Sequence, residues 1–190
     1  MAALLAERHG LRLYSCDAHF DRHCAAADPA TQPTLARLRT APRAEQFLQP
    51  LRTLVRDAVS ACREEFPMVV ADLAALPPGP PVLVEGMTPL PECVAALRPE
   101  RAAWLVPAPA FQHAHYARRD WAATLLAGLA DSDRAFDNWM RRDEVSARWV
   151  RIQARRLRLP VRVVDTHHSI GAVTAWVELQ LGLTSLRGWL

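Results

Sequence analysis

Three short apolar runs constrain this chain more than anything else in it: Val82-Leu83-Val84, Ala102 to Val106, and Val161 to Val164. Each is shorter than a helix of ordinary length, the first and third are rich in valine, and each ends at a polar or helix-breaking residue, Glu85-Gly86, Pro107 and Asp165. Runs of this kind read as strands buried on both faces of a parallel sheet. A fourth run, Leu11 to Ser15, alternates, and Asp17 follows at its carboxyl end. The predicted class is α/β with an open parallel sheet, whose ligands bind where the strands end.

Helical patterns fill the intervals. Ala2 to His9 closes on Gly10, a glycine C-cap, with no capping residue at its start. Ala18 to Ala26 and Pro33 to Arg39 read as short helices. From Arg43 to Phe66, apolar residues recur at three and four (Phe47, Leu51, Leu54, Val55, Ala58, Val59, Cys62, Phe66), the pattern of a long amphipathic helix. Beyond the Pro-rich hinge at 77–81, further helices are expected over 110–126, 132–157 and 172–181. One domain over 1–190 is expected, with 18–76 as an acceptor-binding helical segment and 110–158 as lid-bearing helices.

Composition narrows the function classes. All 23 basic residues are arginine, and the chain has no lysine. Arginine grips phosphate and carboxylate with a planar fork, so anion ligands are plentiful; a GC-rich coding bias gives the same skew. A net charge of +3 is a weak pull toward nucleic acid. No stretch approaches the roughly 20 apolar residues of a membrane span, and Met1 to Gly10 carries Glu7, Arg8 and His9 where a signal peptide is apolar. A cytoplasmic protein is the expectation. Cys16, Cys24, Cys62 and Cys93 show neither a C-x-x-C pair nor zinc spacing and read as reduced, mostly buried thiols.

Taken in order, Tyr14-Ser15-Cys16-Asp17, Val82-Leu83-Val84-Glu85-Gly86, Trp104-Leu105-Val106-Pro107, Arg118-Arg119 and Val163-Val164-Asp165 resemble the P-loop small-molecule kinases. The likeness is to nucleoside, nucleoside monophosphate, gluconate and shikimate kinases and to chloramphenicol phosphotransferases, and it spans Met1 to Leu183. It implies a three-layer αβα fold, ATP and Mg2+ as cofactors, and a small-molecule or nucleotide acceptor. The chain departs from the family at its start. The strand, the G-x-x-x-x-G-K-[ST] loop and the beginning of the Ala2 helix have no counterpart here, no two glycines are five apart, and no lysine exists to follow them. Without that loop a triphosphate loses the amides, lysine and hydroxyl that hold it and its magnesium, so ATP binding by this chain is doubtful. In the family the missing strand lies centrally, between the strands ending here at Glu85 and Val106. Two expectations arise from that gap: that the natural chain starts upstream, or that the flanking strands pair directly.

The resemblance also assigns roles. Asp17 would orient or deprotonate the acceptor hydroxyl, though it is equally placed to cap a helix. Glu85 would project toward the ligand edge and hold a magnesium-bound water; as a buried glutamate it needs a purpose. Arg118 and Arg119, on a helix, would be lid arginines that neutralise the migrating phosphoryl group, with Arg141 and Arg142 as the other half of the lid. Asp21 and His23 join the substrate and phosphate side, and Asp165 neighbours the adenine pocket. Asp17, His19, Asp21 and His23 place like pairs four apart, a metal-capable spacing, but no H-E-x-x-H pattern accompanies them and no metal site is assigned. Arg148, Arg151, Arg155 and Arg158 form a stripe opposite an apolar face of Phe136, Met140, Val150, Ala154 and Leu157.

Three functions fit these features. The first is an ATP-dependent phosphotransferase acting on a small metabolite or nucleotide, impaired by the absence of the loop. The second is a non-catalytic, pseudokinase-like partner protein, including a homo-oligomer joined through exposed sheet edges. The third and weakest is a nucleic-acid binder using the arginine stripe.

Overall fold

A computed structural model describes residues 1–42, 46–98 and 101–183. In chain order the described elements are α1 (Ala2–His9), β1 (Arg12–Ser15), α2 (Cys16–Ala26), α3 (Pro33–Thr40), α4 (Leu51–Ala75), β2 (Val82–Glu85), α5 (Pro91–Ala96), β3 (Trp104–Pro107), α6 (Pro109–Tyr116), α7 (Asp120–Leu126), α8 (Ser132–Arg156), β4 (Val161–Val164) and α9 (Ile170–Gln180). The class is mixed α/β with parallel strands. No described helix is long and apolar enough to cross a membrane.

The strands form two ribbons instead of one sheet. β1 pairs with β2 in parallel, Arg12 opposite Val82 and Ser15 opposite Glu85, and β3 pairs with β4 in parallel, Trp104 opposite Val161 and Pro107 opposite Val164. β2 and β3 do not pair, which corrects the expectation that they would join directly. Each ribbon therefore has strands bonded on one side only. The continuous three-layer sheet gives way to a coarser architecture, and the strands read as fully buried are half-buried along β2 and β4.

Local chemistry explains most helix ends. Gly10 closes α1 at φ 63, the left-handed conformation that glycine adopts without a Cβ penalty. The Asp131 side chain accepts a hydrogen bond from the Arg134 N–H and starts α8, and Ser169 does the same for α9 through the Ala172 N–H. Two helices differ from expectation. Pro50 delays the long helix to Leu51, and it runs through Pro67 to Ala75 instead of stopping at Phe66. Pro67 removes one intrahelical bond, but the turns beyond it pack Val69 and Leu73 against Tyr14, Val82 and Val84 of the first ribbon. The expected helix over 110–126 breaks at Ala117 to Arg119 into α6 and α7. The expected start of the long helix at 43–45 lies outside the described residues.

The core is divided like the sheet. One cluster joins Phe47, Leu54, Ala122, Leu126, Ala135, Trp139 and Met140 between the helices. Another sets Tyr14, Cys16 and Val69 under the first ribbon, and a third packs Leu5, Val177 and Leu183 with Leu83 on its other face. On α8, Ala154 and Met140 are buried as expected, whereas Leu157 is 40% exposed at the helix end. Cys16, Cys24 and Cys62 are buried and Cys93 is half-buried, and none of the four is in a disulfide.

Candidate functional site

Parallel pairing places the two acidic candidates together. Ser15 is opposite Glu85 in the register, so the residues that leave β1 and β2 emerge side by side. Asp17 is the second residue of α2, which begins at that edge. Gly86 follows Glu85 at φ 129, and a Cβ built there would lie 2.9 Å from the Cys16 Cβ and 3.2 Å from an Asp17 carboxylate oxygen. Only glycine allows the loop after β2 to approach α2 this closely. Asp17 is exposed, and Glu85 is half-exposed instead of buried, so the desolvation argument for Glu85 falls away while its position at the strand end stands.

A cationic wall comes from the other half of the molecule. Arg119 is not on a helix; with Arg118 it lies in the turn between α6 and α7, where Arg119 precedes the first residue of α7. Its guanidinium sits 4.6 Å from the centroid of the Tyr116 ring and 5.8 Å from that of Trp121. Both rings flank the turn at which the helical pattern breaks. Arg118 is exposed. Arg142, in the middle of α8, is ion-paired with Asp143 at 2.5 Å and lies 5.1 Å from the Phe47 ring centroid. Arg141 points elsewhere, as adjacent helical residues must, and lines a cavity of about 360 Å3 with Pro109, His113, Asp137, Met140 and Glu144. The structure thus separates the expected pair Arg141 and Arg142.

Two buried groups register both walls at once. Burial, and then the Asp143 charge, raises the Tyr116 hydroxyl; Arg119 and Arg142 oppose this and Asp17 adds to it. The Cys62 thiol is raised by burial and by Glu65, with Arg142 opposing and Asp17 again contributing. Asp17 and Arg142 thus both lie within electrostatic reach of Tyr116 and of Cys62. Asp143, which sequence reasoning missed, is itself raised by burial, with Arg142 holding it down; it also accepts a 3.1 Å hydrogen bond from Gln112 Nε2.

His23 requires a correction. It is 1% exposed, with Nδ1 2.8 Å from Glu65 Oε1 and Nε2 3.0 Å from Asp72 Oδ2, so neither nitrogen is free for a substrate. Glu65 also accepts from the Thr88 hydroxyl, and Asp72 from the Tyr14 hydroxyl at 2.5 Å and from Arg22. The Arg22 bond leads the effects that hold Asp72 well below the usual carboxylate range. A carboxylate on each ring nitrogen satisfies both only as imidazolium, or with one carboxyl carrying the proton. His19 stacks on Tyr14, centroids 4.3 Å apart, and its Nδ1 is 2.8 Å from the Ser15 carbonyl oxygen. Asp21 is exposed on α2.

Asp165 directly follows β4, on the second ribbon. Its Oδ1 accepts from the His167 backbone N–H at 2.9 Å and lies 2.8 Å from His168 Nδ1, and the first of these leads the effects that lower its pKa. It is a turn-forming residue, apart from the acidic edge of the first ribbon. Among the described residues no group of three His, Cys, Asp or Glu side chains is arranged to hold a metal ion. Comparison with known proteins gives no match to any family model, curated protein or solved structure, so a functional reading rests on the geometry of the site itself.

Proposed function

We propose that the chain provides the acceptor side of a phosphotransferase site for a small hydroxyl-bearing metabolite or nucleotide. The observation that carries this reading is the placement of Asp17 and Glu85 at the carboxyl edge of a parallel ribbon, with Asp17, Arg119 and Arg142 all within electrostatic reach of Tyr116. Ligands of open parallel α/β sheets lie at that edge. Asp17 accepts the hydrogen bond of the acceptor hydroxyl and turns its oxygen toward the cationic wall. The Tyr116 hydroxyl, kept protonated by burial, donates to an anionic oxygen, and the two guanidinium groups neutralise negative charge developing beside it.

The residues present do not fit ATP. A chain without lysine, and without glycines spaced for a phosphate loop, offers no cradle for the β- and γ-phosphates. The described carboxylates form no three-ligand group for Mg2+. No step is therefore assigned through either. The test is a thermal-shift panel of nucleosides, sugars and aminoglycoside-like alcohols against the natural chain, Asp17→Asn and Glu85→Gln. A panel member is expected to stabilise the natural chain and to lose on the order of tenfold in affinity with Asp17→Asn, the value of about one charged hydrogen bond. An empty panel, or binding indifferent to both substitutions, overturns the reading.

The divided sheet favours a second reading, a partner-binding protein. Two-stranded ribbons are marginal alone, and among the described residues one edge of β2 and one of β3 have no partner strand. The molecule exposes 11594 Å2, against about 9,100 Å2 for a folded monomer of this mass. Light scattering after size exclusion separates the readings, since a monomer that melts sharply contradicts the second. The arginine stripe gains no such support. Arg148 and Arg155 are solvated on α8, and Arg158 lies past its end.

A further inference from the structure

The loop at 86–90 joins the two ribbons, and its fixings are unusually polar for so small a segment. Thr88 is 3% exposed, and its hydroxyl donates to Glu65 of α4, which is 1% exposed and bridges to His23 of α2. The start of the loop at Gly86 lies against Cys16, the first residue of α2, whose buried thiol is pushed up to about 12 by burial and the Glu65 charge. One residue earlier the Met87 carbonyl oxygen lies 3.6 Å from the Cys62 sulfur; one residue later the Pro89 carbonyl accepts from the Trp104 indole N–H at 2.9 Å. Trp104 opens β3. The loop is thus tied to α2 and α4 on one side and to the second ribbon on the other.

We infer that His23, Glu65 and Thr88 are positioning residues: a buried clasp that fixes the loop and, through it, both the spacing of Asp17 from Glu85 and the setting of the acidic edge against the cationic wall. A carboxylate, an imidazole and a hydroxyl withdrawn from water are costly unless each is satisfied, and here each satisfies another. Apolar side chains would fill the same space without fixing a direction. The polar set holds the loop at one register, because Glu65 offers one oxygen to the helix and the other to the loop. Its role in the site rests on the acceptor-site reading; the clasp itself does not.

Hydrogen exchange read residue by residue tests it. Thr88→Val keeps the shape and removes only the donor; amides at 86–90 are expected to exchange on the order of tenfold faster, with α4 and α8 unchanged, and Thr88→Ser is expected to restore protection. Glu65→Gln provides a second variant that breaks the same link from the helix side. Unchanged loop exchange in both variants overturns the inference. So does an equal loss of protection across the molecule, which marks ordinary destabilisation, or a failure of Thr88→Ser to restore the loop. If no acceptor binds the natural chain, the site reading fails while loop exchange still decides the clasp.

Discussion

The two ribbons are built from the same parallel pairing but are supported by opposite chemistry. Under β1 and β2 the interior is polar: Tyr14, His23, Glu65, Asp72 and Thr88 exchange hydrogen bonds beside Val69 and Cys16. The helices beside the second ribbon instead rest on aromatic packing, with Trp139 stacked on Phe47 at 4.8 Å and edge-on to Tyr116 at 5.3 Å. Hydrogen bonds have direction and packing mainly has volume. The polar half thus suits the placement of an acidic pair to a fraction of an ångström, and the aromatic half serves as a firm wall that carries two arginines.

This contrast orders the expected effects of substitution. Trp139→Ala should be the most damaging, about 3 to 5 kcal/mol in urea unfolding, because it empties the centre of the aromatic cluster. An effect under about 1 kcal/mol would show that the cluster is not the support described. Gly86→Ala comes next at about 2 to 4 kcal/mol, since the residue has φ 129 and its new methyl meets the Cys16 Cβ at 2.9 Å. A neutral result would mean that the loop and α2 are not in contact.

Asp72→Asn should cost about 1 to 2 kcal/mol at neutral pH, weakening its bonds to Arg22, Tyr14 and His23. The sign of its pH dependence is fixed: a carboxyl lowered in the folded state stabilises above its ordinary value of 3.8 and loses that contribution as pH falls through the folded value. The gap between the natural chain and the variant should therefore close as the solution is taken below about pH 4. Cys16 acts at the other end of the scale. Its thiol is raised from 9.0 to about 12, so the stability it contributes is present below pH 9 and lost as pH rises toward 12. The Cys16→Ser variant should flatten that alkaline limb. The smallest effect belongs to Arg63→Ala, which breaks the exposed 3.1 Å pair with Glu92 and should change stability by less than about 1 kcal/mol.

The sequence discloses the strands because their apolar runs are short and sharply bounded, and it discloses Asp17 and Glu85 because they come just after such runs. The break between β2 and β3 was legible as a risk, from the centrally placed strand that the resemblance implies, but not its outcome, since pairing depends on how separate helices settle. The long helix outruns its expected end at Phe66 because the favourable packing of Val69 and Leu73 lies beyond Pro67. Arg118 and Arg119 read as helical because the apolar pattern runs through them; the chain turns there instead, with Arg119 against Tyr116 and Trp121.

The clasp was hidden for a different reason. Glu65 and Asp72 look like solvated charges on an amphipathic helix, and their partners lie 42 and 49 residues away. A signal was present nonetheless: Glu65 falls on the stripe of Ala58, Cys62 and Val69, an acidic residue on a buried face, and Asp72 lies two turns further along it. A carboxylate in that position demands a donor from another element.

The central claim is that these residues hold an acceptor and lack a triphosphate cradle. Calorimetric titration of the 190-residue chain with Mg-ATP, beside the acceptor found in the thermal-shift panel, tests it most directly. The account predicts saturable heat from the acceptor that Asp17→Asn removes, and none from millimolar Mg-ATP. Tight Mg-ATP binding, with an acceptor signal indifferent to Asp17, would contradict it.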